Sequence, residues 1–141
     1  MAAFNKFNQF VEDLGDGVHK LKAANDVVRI YLSNAVPSAS LDLVKADLAE
    51  IAGGNGYTAG GADVQNDATE TAGTLTVTGV DVTYTASGGS IGPFQYVVLY
   101  NDTPIAPADP LIGWWDYGSA ITLLVGESFT TDFGASMFTV A

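Results

Sequence analysis

His19 is the only histidine in this chain, and cysteine is absent. Any serine-based or metal-assisted mechanism that needs an imidazole would have to be built on that one ring, yet no partner stands at a telling spacing from it. The residue lies beside Lys20, where a helical pattern is already weakened by Gly15 and Gly17. We read it as a surface or partly packed side chain whose replacement by alanine changes little. The lack of cysteine removes thiolate nucleophiles, zinc–thiolate sites and a disulfide framework, and leaves the redox compartment undetermined. Carboxylates are the chemistry that remains. Two of them at the right separation could form the acid–base pair of a glycosidase. No spacing singles out two, and Asp102, Asp109 and Asp116 fall in turn contexts, where aspartate is favoured for backbone reasons.

Gly53-Gly54-Asn55-Gly56-Tyr57-Thr58 begins like a calcium-binding β-roll nonapeptide, but Thr58 stands where the ligand aspartate belongs and the unit does not recur. There is no EF-hand loop, no Walker sequence, and no G-x-G-x-x-G between a strand and a helix. We therefore expect no metal, no cofactor and no enzymatic activity. Tyr96, Tyr100, Trp114, Trp115 and Tyr117 could line a sugar-stacking surface. Adjacent Trp114 and Trp115 on a strand must point to opposite faces, so one belongs in the core and the other at an edge, a partner or solvent. Core or subunit-interface packing is the reading we prefer for these rings.

Charge narrows the partners. From Ala46 to Ala141 there is no lysine or arginine, and the eight aspartates and three glutamates of that stretch carry the whole net charge of −11. Residues 1–45 balance five cations against five acids. A body without positive side chains cannot hold a phosphate backbone, and anionic membranes repel it. We expect neither nucleic acid nor membrane as a partner. The N-terminus mixes Asn, Lys and Gln into its apolar residues, so it has no signal-peptide core, and no apolar run approaches the ~18 residues of a membrane span.

The elements follow from periodicity. Residues 1–141 read as one α+β domain, mostly antiparallel β of sandwich or barrel-like kind, with an N-terminal helix and a second short helix. Phe4, Phe7, Phe10/Val11, Leu14 and Val18 recur at steps of three or four, which predicts the first helix. Val27–Leu32 is dense enough in β-branched and aromatic residues for a strand. Ser40 could cap a helix reaching Ile51, with Leu41, Leu43/Val44, Leu48 and Ile51 as its buried stripe. Residues 52–73, glycine-rich and then polar, read as a mobile or displayed loop. Residues 74–141 form the antiparallel region. Leu75 and Val77 alternate in one phase and Val80, Val82 and Tyr84 in the other, which predicts a bulge at Thr78-Gly79. Phe94–Tyr100 is apolar on both faces and should be a central strand. Leu111–Tyr117, Ala120–Val125, Ser128–Phe133 and Met137–Val140 complete the set. Phe94, Tyr96, Val98, Leu99, Ile121, Leu123, Phe129 and Phe133 are the expected core.

Ser90-Ile-Gly-Pro-Phe-Gln-Tyr-Val-Val-Leu-Tyr-Asn-Asp102 and Leu111-Ile-Gly-Trp-Trp-Asp-Tyr-Gly118 resemble segments of a family of small tailed-bacteriophage virion proteins. So do Ala3–Val11, the Gly54–Gly61 loop and Gly126–Phe133. The resemblance implies a virion structural protein, made in the host cytoplasm and carried on the capsid surface. Of the positions in the particle, we expect a capsid decoration (cement) protein that binds the assembled major capsid protein as a homo-oligomer, with a trimer favoured. A tail-tube or baseplate component is the alternative, and a carbohydrate-binding module displayed on the virion comes after it. The resemblance supplies no catalytic residue. For the interface with capsid or neighbour, the residues point to Phe4, Phe7 and Phe10, because three rings so near a terminus must be covered by something. The domain's own sheet is one possible cover. The Trp114/Trp115 strand is the next candidate.

Overall fold

The computed structural model describes residues 2–141. Among them, ten strands and one helix follow in the order β1 (Phe4–Lys6), α1 (Asn8–Gly15), β2 (Val28–Ser33), β3 (Ala62–Asp63), β4 (Asp67–Thr71), β5 (Thr74–Thr78), β6 (Thr83–Thr85), β7 (Ile91–Asn101), β8 (Leu111–Leu123), β9 (Ser128–Thr130) and β10 (Phe138–Val140). The principal sheet has the order β1-β8-β7-β2-β3 and is antiparallel throughout. A three-stranded sheet (β10-β5-β4) and a two-stranded one (β6-β9) complete the structure. The chain is thus mostly antiparallel β with one N-terminal helix.

Strand β7 occupies the middle of the principal sheet because its residues are apolar on both sides. Phe94, Val97 and Leu99 enter one core, which also holds Phe10 of α1, Val77 of β5, Tyr84 of β6 and Phe138 of β10. Tyr96, Val98 and Tyr100 face the other way, into a second cluster with Phe7, Tyr31, Leu48 and Leu111. Phe94 and Val97 share a face although three apart. The ladder is irregular there: between Phe94 and Tyr96 the partner strand passes from Ile121 to Asp116 while β7 advances two residues. Of the expected core, Phe94, Tyr96, Val98, Leu99, Leu123 and Phe133 are buried, while Ile121 and Phe129 pack half-buried against it.

Four sequence expectations need correction. The helix expected from Phe4 starts at Asn8. Phe4–Lys6 instead pairs with Trp115–Gly113 as β1, and Phe7 keeps an extended backbone (φ −74°, ψ 144°). A spacing of three fits a strand that turns into a helix as well as it fits a helix. The Ser40–Ile51 helix does not form; only a 3-10 turn at Lys45–Asp47 is present. Its backbone groups are taken by distant partners: Lys45 N donates to Asp109 O (2.9 Å), Leu111 N to Leu43 O (3.1 Å) and Ile51 N to Leu32 O (3.0 Å). The segment therefore lies over the second face of the sheet as irregular chain, with Leu48 buried and Leu41 exposed. Residues 52–73 are not a free loop, since they contain β3, β4 and the buried Tyr57. At Thr78-Gly79 there is a strand end rather than a bulge; β5 and β6 belong to different sheets.

Candidate functional site

The five residues expected at an interface do come together, around the junction of β1, β8 and α1, but they face inward. Phe7 is fully buried and its ring lies 4.6 Å from that of Trp114, on the second face of the sheet. Trp115, on the opposite face, is buried and meets Phe4 edge-on at 5.3 Å. Phe10 is 1% exposed and packs on His19 and Phe138. Gly113 makes this possible, because any side chain there would collide with the Phe4 ring and the Asn5 carbonyl. The domain's own sheet is therefore the cover for Phe7, Phe10 and Trp115, and those rings are not available to a partner. Phe4 and Trp114 remain half-exposed.

What this cluster leaves open is a cleft of about 260 Å³ at the outer edge of the molecule. Phe4 and Lys6 of β1 form one wall, Val11 and Leu14 of α1 another, and Phe138 and Val140 of β10 the third. The Phe4 and Phe138 rings stack at 4.8 Å along its side. Strands β1 and β10 are both edge strands, so each has ladder groups unpaired toward this side. Val11 is 54% exposed at the rim. Lys6 is the charged side chain of the lining, and no carboxylate side chain contributes to it. Only the Phe4 and Phe10 part of this surface was legible in the sequence. The β10 wall was not, because nothing in Phe138–Val140 signals that it meets the N-terminus.

The ionisable groups are tied into the fold. His19 is 6% exposed, so it is packed in the interior and not a surface side chain. Asn101 Oδ1 accepts from Thr103 N (3.2 Å), which orients its amide so that Nδ2 donates to Asp26 Oδ2 (2.7 Å) and to His19 Nδ1 (3.1 Å). The network thus assigns the imidazole proton to Nε2. His19 Nε2 and Asp13 Oδ2 are both buried without a hydrogen-bond partner among the described residues. Burial lowers the His19 pKa, while Asp13 and Asp26 oppose that shift.

A second node sits around Glu50, where the glycine loop meets β2. Glu50 Oε1 accepts from Tyr57 OH (2.6 Å) and Gly60 N (2.7 Å), and Glu50 Oε2 meets Lys45 Nζ at 2.7 Å. Lys45 in turn lies 4.8 Å from the Tyr31 ring centre. Tyr57 OH also accepts from Leu32 N (3.0 Å), and burial pushes its phenol well above the ordinary range. Arg29 donates to Gly60 O and Gly61 O. Both cations therefore clamp the glycine loop onto β2. The acids behave alike: Asp67 accepts from Ala23 N and Ala68 N, and Asp47 from Leu43 N and Val44 N, which lowers the pKa of both. One carboxyl pair that sequence spacing did not reveal is Asp102–Asp109. Burial and then Asp102 raise the Asp109 carboxyl, but neither residue lines the cleft between β1, α1 and β10. Among the described residues no group of three His, Asp or Glu could hold a metal, and no helix is long and apolar enough to cross a membrane. Comparison with family models, curated proteins and solved structures returns no match.

Proposed function

We propose that the protein is a bacteriophage virion structural component, a decoration protein that binds the assembled major capsid shell as a homo-oligomer. One observation carries the reading: its ordered polar groups hold the chain's own backbone, while the cleft between β1, α1 and β10 is lined mainly by apolar side chains. Arg29, Lys45, Glu50, Asp47 and Asp67 are committed to loops, and the cleft at β1, α1 and β10 offers shape and apolar surface instead of reacting groups. That combination suits recognition of another protein. The resemblance of Ser90–Asp102 and Leu111–Gly118 to small phage virion proteins supports a place in a particle. The layering, with two smaller sheets over one face of the five-stranded sheet, is of the sandwich kind. It suits a rigid body that folds alone and then attaches.

Quantitative mass spectrometry and microscopy of purified virions test this. Decoration predicts copies in the hundreds spread over the head. A few copies confined to the tail would favour a tube or baseplate role, and absence from the particle would overturn the reading. Binding of the isolated protein to sugars, with none to shells, would move it to a carbohydrate-binding module.

A further inference from the structure

We propose that copies of this chain associate by seating the Leu124-Val125 turn of one copy in the cleft between β1, α1 and β10 of the next. The proposal rests on the self-association named above and not on the shell.

Leu124 and Val125 are adjacent, 60% and 66% exposed, and carried at the turn between β8 and β9. Val36 is exposed between half-buried neighbours, and Ile105 is followed by the exposed but small Ala106, whereas Leu124 and Val125 are two adjacent exposed branched side chains. Single exposed side chains are ordinary on a soluble surface, whereas contiguous ones mark contacts. The turn is rigid. Glu127 N donates to Leu124 O (2.8 Å), Leu124 N to Glu127 Oε1 (2.7 Å), Gly126 N to Ala86 O (2.8 Å) and Ala86 N to Glu127 O (2.9 Å). Gly126 takes φ +88°, which a Val-Gly turn of this type requires at its third position. Two aliphatic side chains are thus held outward with little flexibility left to lose on binding.

The cleft matches that knob in size, and the one charged side chain of its lining is a cation. An apolar cavity of about 150 Å³ holds a benzene-sized group, so a cleft of about 260 Å³ has room for two branched aliphatic side chains. Its lining carries Lys6 and no acidic side chain, and Glu127 stands beside the knob. Residues 46–141 hold no cation at all, so most other apposed surfaces of two copies repel. Knob and cleft also lie apart on one element. Trp115 pairs with Phe4 at the cleft, and Leu124 follows nine positions later, at most about 30 Å along an extended strand. One copy can therefore offer its turn while its own cleft stays open. The contact closes reciprocally in a pair or passes around a ring.

The test uses the full chain and two surface variants, Val125→Asp and Val11→Asp, with circular dichroism to show that both fold. Wild type should exceed 14.6 kDa in multi-angle light scattering at concentrations up to about 1 mM, the weak end of specific association. Each variant alone should be monomeric, with association weakened at least tenfold. Mixing the two should restore a heterodimer, because one variant keeps its cleft and the other its turn. A monomeric wild type overturns the proposal. So does a Val125→Asp variant that keeps the wild-type mass, or a mixture that stays monomeric. Shell occupancy measured on the same samples is a separate readout: full decoration by monomeric Val125→Asp would sink this contact's relevance on the particle and leave decoration itself standing.

Discussion

His19 Nδ1 accepts a hydrogen from Asn101 Nδ2, and a proton placed on that nitrogen would meet the amide's own hydrogens. The unfolded ring takes up its proton near the ordinary value of 6.5, whereas the folded ring resists to lower pH through burial, against the pull of Asp13 and Asp26. Between those two values the unfolded state binds more protons, so this contribution is complete above about pH 6.5 and is lost as pH falls below it. Asp109 acts in the opposite sense, its raised carboxyl favouring the fold as acid is added. Denaturation between about pH 7.5 and 5.5 should therefore show stability falling with pH, and His19→Gln should flatten that slope. His19→Ala should cost about 1–3 kcal/mol, because it leaves a buried amide hydrogen unpaired and empties ring volume. An alanine variant as stable as wild type would show that the packing around His19 is loose.

Elements here were legible where both neighbours of a strand lie in the core, and illegible where a distant strand decides. Strand β7 could be read because Val97, Val98 and Leu99 are apolar in succession, as a two-sided strand must be. Strand β4 could not, since Ala68 is its one buried residue and the rest reads as polar loop. The Ser40–Ile51 stripe looked helical, but the pattern could not reveal that Asp109 and Leu111 would claim its backbone. At the candidate site the sequence located the right rings and left open whether a partner or the domain itself covers them. That changes what truncation should do. Deleting residues 1–11 removes β1, Phe7 and Phe10, and losing each of those two rings costs about 3–5 kcal/mol. Against a total of about 5–15 kcal/mol, the truncated chain should be unfolded or aggregated by circular dichroism, not a folded monomer. Tyr57→Phe probes the node around Glu50. It strips a donor from Glu50 and an acceptor from Leu32 N, so it should cost about 1–3 kcal/mol. Amides of residues 52–61 should then exchange faster than those of β7.

The whole molecule carries −11, and eleven of its sixteen acids follow Lys45, in the turn at Asp47, in β3, β4 and β8, and in the loops. Compactness is opposed by that self-repulsion, and salt screens it with a Debye length near 8 Å at 0.15 M. The melting temperature should rise as sodium chloride goes from about 10 mM to about 500 mM, and scanning calorimetry reads it directly; a fall would mean that the Lys45–Glu50 and Arg29–Asp102 pairs outweigh the repulsion. The same global view gives the pairing of Phe4 with Trp115 a meaning in time. A ribosome adding about 5–20 residues per second needs roughly 6–20 s to travel from one to the other. Throughout that interval Phe4, Phe7 and Phe10 have been made and their docking strand has not. The newborn chain thus presents three uncovered rings to every chaperone it passes, and Phe138, which stacks on Phe4, is made later still than Trp115 and closes over them.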